Sequence, residues 1–258
     1  MPTVDRDGTE LYYETDGDGE TVAFIPDIGC GAWLWGWQHA AVGGPFESLV
    51  WNTRGTGQSD PPRGPMSMAQ FANDLEAVLA DHGSRNVHLI GCGLGAMVAL
   101  AYARRHNRAR SLTLVSGAAT GNEYDPEPFF ADPSDEDACR ETLDSVLSAE
   151  FCREQPDVVD GIAQWRTTED ADRETWDQQA AALSDFDATP LYEVTLPTLV
   201  VSGGADELLD ETAAAELANG LPRGRHEEFP GAGHFVNVER SRPLNDLLLE
   251  FVGQETGT

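Results

Sequence analysis

The feature that most constrains this chain is the stretch 89–103, LIGCGLGAMVALAYA. Apolar residues run up to Gly91, three glycines alternate at 91, 93 and 95, and an alanine-rich apolar segment follows. Glycine is the residue that accepts a sharp reversal and lets two backbones approach closely. The stretch therefore reads as a buried strand, a tight turn and a buried helix. A strand that feeds a helix in this way returns to the next strand by a crossover, which yields a parallel sheet covered on both faces.

The rest of the chain repeats that alternation. Strand-like runs stand at 10–15 (ELYYET), 21–26 (TVAFIP), 47–52 (ESLVWN), 86–91 (NVHLIG), 109–117 (ARSLTLVSG), 196–206 (LPTLVVSGGAD) and at the start of 225–235. A helix starting at Ser67 is predicted to run to about His82. Ser67 and Gln70 have capping-box spacing, and Phe71, Leu75, Val78 and Leu79 form one apolar stripe. Further helices are expected at Leu94–Arg105, in ETAAAELANGLP and in RPLNDLLLEFV. From 119 to 189 the strands stop and acidic helical stretches replace them. The predicted architecture is α/β: a core formed by 1–118 and 190–258, interrupted by a helical cap at 119–189.

Composition excludes several functions. The 258 residues carry 45 acidic and 16 basic side chains, for a net charge of −29, and every basic residue is arginine. Such a field repels nucleic acid and anionic lipid. Without lysine there is no Schiff-base chemistry. The acid excess predicts a protein adapted to a salt-rich cytoplasm, folding weakly at low salt. No apolar run approaches the length of a membrane span, and the N-terminal residues do not read as a signal peptide. The four cysteines show no C-x-x-C pairing, and the histidines at 39, 82, 88, 106 and 226 lack metal-ligand spacing. No metal, cofactor, nucleic-acid or membrane partner is expected, only a small molecule. The oligomeric state is left open.

Four motifs in order carry a family resemblance: NTRGTGQSD at 52–60, LIGCGLGAMVAL at 89–100, LVVSGGADE at 199–207 and PGAGHFVNVERSRP at 230–243. With them the chain resembles α/β-hydrolases of the branch that holds the 3-oxoadipate enol-lactonases and related small-ester hydrolases. The resemblance implies a triad acid at Asp206 and a base at His234. Each has a plainer reading, as a helix-capping turn aspartate and as an ordinary buried histidine. At the elbow the family pattern G-x-S-x-G becomes Gly91-Cys92-Gly93-Leu94-Gly95, so Gly93 is expected to be a vacant nucleophile position. Cys92 stands one residue early, and a packed thiol is its plainer reading.

The resemblance also places the oxyanion donors at the amides of Ile28 and Leu94. Asp27, in Pro26-Asp27-Ile28-Gly29, adds a carboxylate where negative charge would develop. Trp33 and Trp35, with Trp37, share one side if their loop is extended. They then line a substrate pocket, or pack the core between that loop and the cap. Arg54 is expected to pair internally. Together these features predict a pseudo-triad that acts on a small ester or lactone, with His234 as general base oriented by Asp206 and no serine nucleophile. A lyase or isomerase, a non-catalytic ligand-binding protein and an inactivated hydrolase stay open beside it.

Overall fold

The computed structural model describes residues 2–256. Its centre is an 8-stranded sheet made of β1 (Thr3–Arg6), β2 (Thr9–Asp16), β3 (Thr21–Ile25), β4 (Glu47–Trp51), β5 (Val87–Cys92), β6 (Ala109–Val115), β7 (Thr198–Gly203) and β8 (Gly224–Phe229). The spatial order is β1-β2-β4-β3-β5-β6-β7-β8. The first two strands form an antiparallel hairpin, and β2 pairs antiparallel with β4. Every pairing from β4 onward is parallel. Strands β3, β5 and β7 are buried at every residue, as their unbroken apolar runs require of strands covered on both faces.

The covering helices are α1 (Gly36–Val42), α2 (Met68–His82), α3 (Leu94–Ala103), α8 (Ala213–Gly220), α9 (Val236–Glu239) and α10 (Ser241–Glu255). Between β6 and β7 lies a helical insertion, with α4 (Glu136–Glu141), α5 (Ala149–Glu154), α6 (Pro156–Glu169) and α7 (Arg173–Ser184). Helix α2 begins where the cap signal places it: the Ser67 hydroxyl accepts from the Gln70 amide at 3.3 Å. Its stripe of Phe71, Leu75, Val78 and Leu79 is fully buried.

Two elements differ from the sequence reading. The hairpin strand β1 has no apolar run to announce it. The tryptophan segment is not extended: Ala32–Trp35 forms a short 3-10 helix that continues into α1. Helical winding sends the three indoles to different sides. Trp35 is buried against Phe24 of β3 with ring centres 5.1 Å apart, Trp33 faces Phe235, and Trp37 meets Trp165 of the insertion. Trp35 is thus a core side chain.

Arg54 pairs internally, as expected. It is buried and donates from Nε and Nη2 to the two carboxylate oxygens of Asp74 at 2.7 and 2.8 Å. In the insertion, Arg166 donates to Asp170 at 2.7 Å, both side chains being buried. Buried pairs like these are the ones bulk salt screens least. The salt-rich, cytoplasmic setting expected from the acid excess is a matter on which the fold bears neither way. Among the described residues no helix is long and apolar enough to cross a membrane.

Candidate active site

The carboxyl ends of the central parallel strands converge on one point. Strand β5 ends at Cys92, Gly93 makes the turn, and α3 starts at Leu94. The turn is tight enough that a Cβ on Gly95 would lie 2.2 Å from the Ile25 carbonyl oxygen, so a glycine is required there. Gly93 itself has φ +50° and ψ −115°, a backbone state that side-chain-bearing residues rarely adopt.

Strand β3 leads into Pro26-Asp27-Ile28, which lies beside this turn. Asp27 is 1% exposed and its carboxylate reaches into the space next to Gly93. Oδ1 accepts from the Ile28 and Leu94 amides, both at 2.7 Å. Oδ2 accepts from the Tyr124 hydroxyl at 2.8 Å and lies 3.1 Å from His234 Nε2. The two amides assigned to a substrate oxyanion are therefore occupied by a carboxylate oxygen of the protein itself.

His234 follows β8 in the loop that ends at α9. Its backbone is fixed on both sides. The Ser116 hydroxyl donates to its carbonyl at 2.6 Å, the Gly233 amide donates to Glu239, and the Phe235 amide donates to the Val146 carbonyl. Asp206 follows β7 and accepts from the Leu208 amide at 2.9 Å. His234 Nδ1 donates to Asp206 Oδ2 at 2.8 Å. The imidazole is fully buried between two carboxylates, with the Tyr124 ring stacked on its face at a centroid distance of 5.0 Å.

This arrangement sets the protonation states. Burial alone would lower the His234 pKa, but the charge and hydrogen bond of Asp206, and then those of Asp27, carry it up to about 10. At neutral pH the ring is an imidazolium. Burial would raise Asp206, yet the His234 charge and the Leu208 and Leu209 amides hold it below the usual carboxylate range. Burial and then the Asp27 charge push the Tyr124 phenol far up. Cys92 is pushed well above the usual thiol range by burial and then by Asp27 and Asp206. Its sulfur, 4.0 Å from Asn237 Oδ1, lies with the Asp27 oxygen and the His234 nitrogen in a group whose ligand atoms are all within 4.8 Å of one another.

Two expectations are corrected here. Gly93 does not leave the elbow simply stripped of its nucleophile, because Asp27, Cys92 and His234 cluster around it. For the same reason the site is not a pseudo-triad: a full set of reactive groups is assembled at the turn.

Of the other expected site residues, Ile28 and Leu94 stand beside the turn with both amides engaged by Asp27. Trp33 is buried near Phe235, and its indole N–H donates to Asp170 at 2.8 Å. Tyr124 is the residue that sequence reading missed. It sits just beyond β6 in a segment of short turns, and nothing in GNEYDP marks a phenol aimed at a residue 97 positions away. Beyond it the site is walled by aromatic side chains: Phe129 packs on Phe235 at 5.2 Å, and Phe130 packs on Trp176 at 5.2 Å.

The model described as the alpha/beta hydrolase family matches residues 22–247. The enol-lactonase from Burkholderia xenovorans LB400 superposes with a TM-score of 0.87 at 24% identity, covering 98% of this chain and all of that one. Est816, described as an N-acyl homoserine lactone degrading enzyme, has a TM-score of 0.85 at 25% identity over 97% of this chain and 100% of its own. A 2-hydroxy-6-oxononadienedioate/2-hydroxy-6-oxononatrienedioate hydrolase of Pseudomonas putida is 27% identical over 94% of this chain and 91% of its own length.

Proposed function

Because the chain belongs to the alpha/beta hydrolase family, we propose that it hydrolyses a small carbonyl compound of the ester or lactone class, with Asp27 as the attacking group. His234, oriented by Asp206, carries the proton. The names of the similar proteins, an enol-lactonase and a lactone-degrading enzyme among them, support the substrate class. The observation that carries the reading is the binding of Asp27: one oxygen between two amides, the other beside an imidazolium.

Asp27 Oδ2 attacks the acyl carbon, and the bond from that carbon to the alkoxy oxygen breaks. The leaving oxygen takes the proton of His234 Nε2, which gives an alcohol, a mixed anhydride on Asp27 and a neutral imidazole. That imidazole has lost the Asp27 charge, so it becomes a base. It takes a proton from water as the water oxygen attacks the Asp27 carbonyl carbon. Negative charge then gathers on Oδ1, where the Ile28 and Leu94 amides already point. Collapse expels the substrate carboxylate, and the new carboxyl of Asp27 releases its proton.

His234 as a base acting alone on water is less well supported, because its ring is already protonated between two carboxylates. Cys92 lies close enough to compete, but its raised pKa and its burial make it the weaker nucleophile.

The test is turnover of 4-nitrophenyl acetate and of γ-butyrolactone in water enriched in oxygen-18, followed by mass analysis of the peptide holding Asp27. Over many turnovers Asp27 is expected to gain the label. Label found only in the product acid, or a thioester trapped on Cys92, would overturn the Asp27 assignment. Failure to hydrolyse any ester or lactone would overturn the substrate class.

A further inference from the structure

If Asp27 Oδ1 holds both backbone amides, the carbonyl oxygen of an incoming substrate has lost its usual pair of donors. Acyl transfer still needs one, because the oxygen becomes negative as the acyl carbon turns tetrahedral. This question rests on the Asp27 reading above. The groups converging on Asp27 Oδ2 narrow the answer. They are the Tyr124 hydroxyl at 2.8 Å and His234 Nε2 at 3.1 Å. His234 has one proton at Nε2, and the leaving alkoxide needs it. Its other N–H is held by Asp206.

We infer that Tyr124 is a catalytic residue, whose hydroxyl passes from Asp27 to the substrate carbonyl oxygen and stabilises the oxyanion there. Its placement suits the task. Tyr124 is 4% exposed and lies parallel to the His234 ring, with an interplanar angle of 10°. Its backbone is tied to the core: Tyr124 bridges to Leu209, and the Asp125 amide donates to the Leu208 carbonyl at 2.8 Å. Leu208 is the residue whose amide binds Asp206. One short segment thus holds both the phenol and the carboxylate that orients the imidazole. The phenol is also chemically suited. It keeps its proton at any pH at which the imidazolium keeps its own, so it donates a hydrogen bond without being consumed.

The reaction gains no extra step by this. Tyr124 O–H exchanges one anionic acceptor, Asp27 Oδ2, for another, the developing oxyanion. As Oδ2 forms its bond to the acyl carbon it loses charge and releases the donor.

The experiment compares the wild type with Tyr124→Phe, and with a protein carrying 3,5-difluorotyrosine at 124, on 4-nitrophenyl acetate and γ-butyrolactone. Tyr124→Phe removes one oxygen and is expected to lower kcat by about 10²–10³-fold with KM nearly unchanged, the signature of a donor used only in the transition state. Thermal unfolding establishes that the variant is folded. The fluorinated protein keeps the hydroxyl and is expected to retain the turnover that Tyr124→Phe loses, so that the loss follows the donated hydrogen bond and not the ring. A structural tyrosine would leave kcat alike in both proteins. If Asp27 takes up oxygen-18 in the wild type but Tyr124→Phe keeps its kcat, or only raises KM, the Tyr124 inference alone is overturned. If Asp27 takes up no label, the Asp27 assignment falls, and the Tyr124 inference that rests on it falls with it.

Discussion

The carboxylate of Asp27 stands where a side chain on Gly93 would begin: a Cβ at position 93 would lie 2.0 Å from Asp27 Oδ1. In this arrangement the two positions compete for one space. A side chain at the turn requires the Asp27 carboxylate to move from the place where the two amides hold it. The absence of a side chain at 93 and the presence of one at 27 are one structural fact.

Restoring a hydroxyl at the turn therefore damages the protein. Gly93→Ser meets the Asp27 carboxylate and an unfavourable φ together. Backbone strain of about 1–3 kcal/mol adds to overpacking of similar size. Urea unfolding is expected to show a loss of about 2–6 kcal/mol from these two sources. The double variant with Asp27→Ala relieves the overlap. Its loss should be smaller than the sum of the single losses by about 1 kcal/mol or more, as for residues in contact. Additive losses would show that the two side chains do not compete for one space.

The buried ion pair behind the sheet edge makes a separate prediction. Asp74 takes two hydrogen bonds from Arg54 and one from Arg6 at 2.7 Å. Asp74→Ala leaves the Arg54 guanidinium buried without a counter-charge, which costs about 3–5 kcal/mol. A midpoint unchanged in urea unfolding would contradict this. Activity in the remaining folded protein should persist, since Asp27 is held by Ile28, Leu94, Tyr124 and His234 and not by the Arg54 side chain.

Cys92 supplies a control on the chemistry. Its thiol is fully buried and held in the protonated form by burial and by the nearby Asp27 and Asp206. Thiol reagents should leave it unmodified in the folded protein and react after unfolding. Cys92→Ala should keep most of the ester and lactone turnover and cost about 1 kcal/mol of stability, the usual size for a small buried change. Complete loss of turnover in a folded Cys92→Ala would move the nucleophile from Asp27 to the sulfur.

Much of this molecule was legible from residue order alone. The parallel sheet follows from short apolar strands alternating with helices, and the turn follows from three glycines spaced by two. The neighbourhood of His234 and Asp206 follows from their positions after β8 and β7. What escaped has a common physical cause. The role of Asp27 depends on two amides, one adjacent in sequence and one 67 residues away. Tyr124 meets Asp27 across 97 positions, through an insertion whose packing no local pattern encodes. The tryptophan segment misled because alternation of large residues fits a strand and a 3-10 turn alike, and tertiary packing of Trp35 on Phe24 decides between them. The protonation state of His234 was hidden for a related reason: it is set by two carboxylates from different strands.

That protonation state yields the last prediction. The folded pKa of His234, about 10, lies above the 6.5 of an unperturbed histidine. A raised pKa means that the folded protein binds the proton more tightly than the unfolded chain. The resulting stability is fully present below about pH 6.5, declines above it and is exhausted as the pH rises through about 10. Asp206 acts in the opposite sense. Its folded pKa is depressed, so its contribution is present above the unfolded carboxylate range and is lost as the pH falls through its folded value. Asp27→Asn removes one of the two anions that hold the imidazolium while leaving Asp206 in place. The His234 pKa should then fall below about 10 while staying raised by Asp206, the larger cause, and the alkaline loss of stability should be complete at lower pH. The titration can be followed by NMR of the His234 ring, and stability by urea unfolding at successive pH values. An unshifted His234 titration in Asp27→Asn would mean that Asp27 does not share its charge with the imidazolium. The same variant should be inactive, since an amide oxygen does not attack an acyl carbon as a carboxylate does. Loss of turnover together with the lowered pKa would tie the charge on Asp27 to both the resting proton and the reaction.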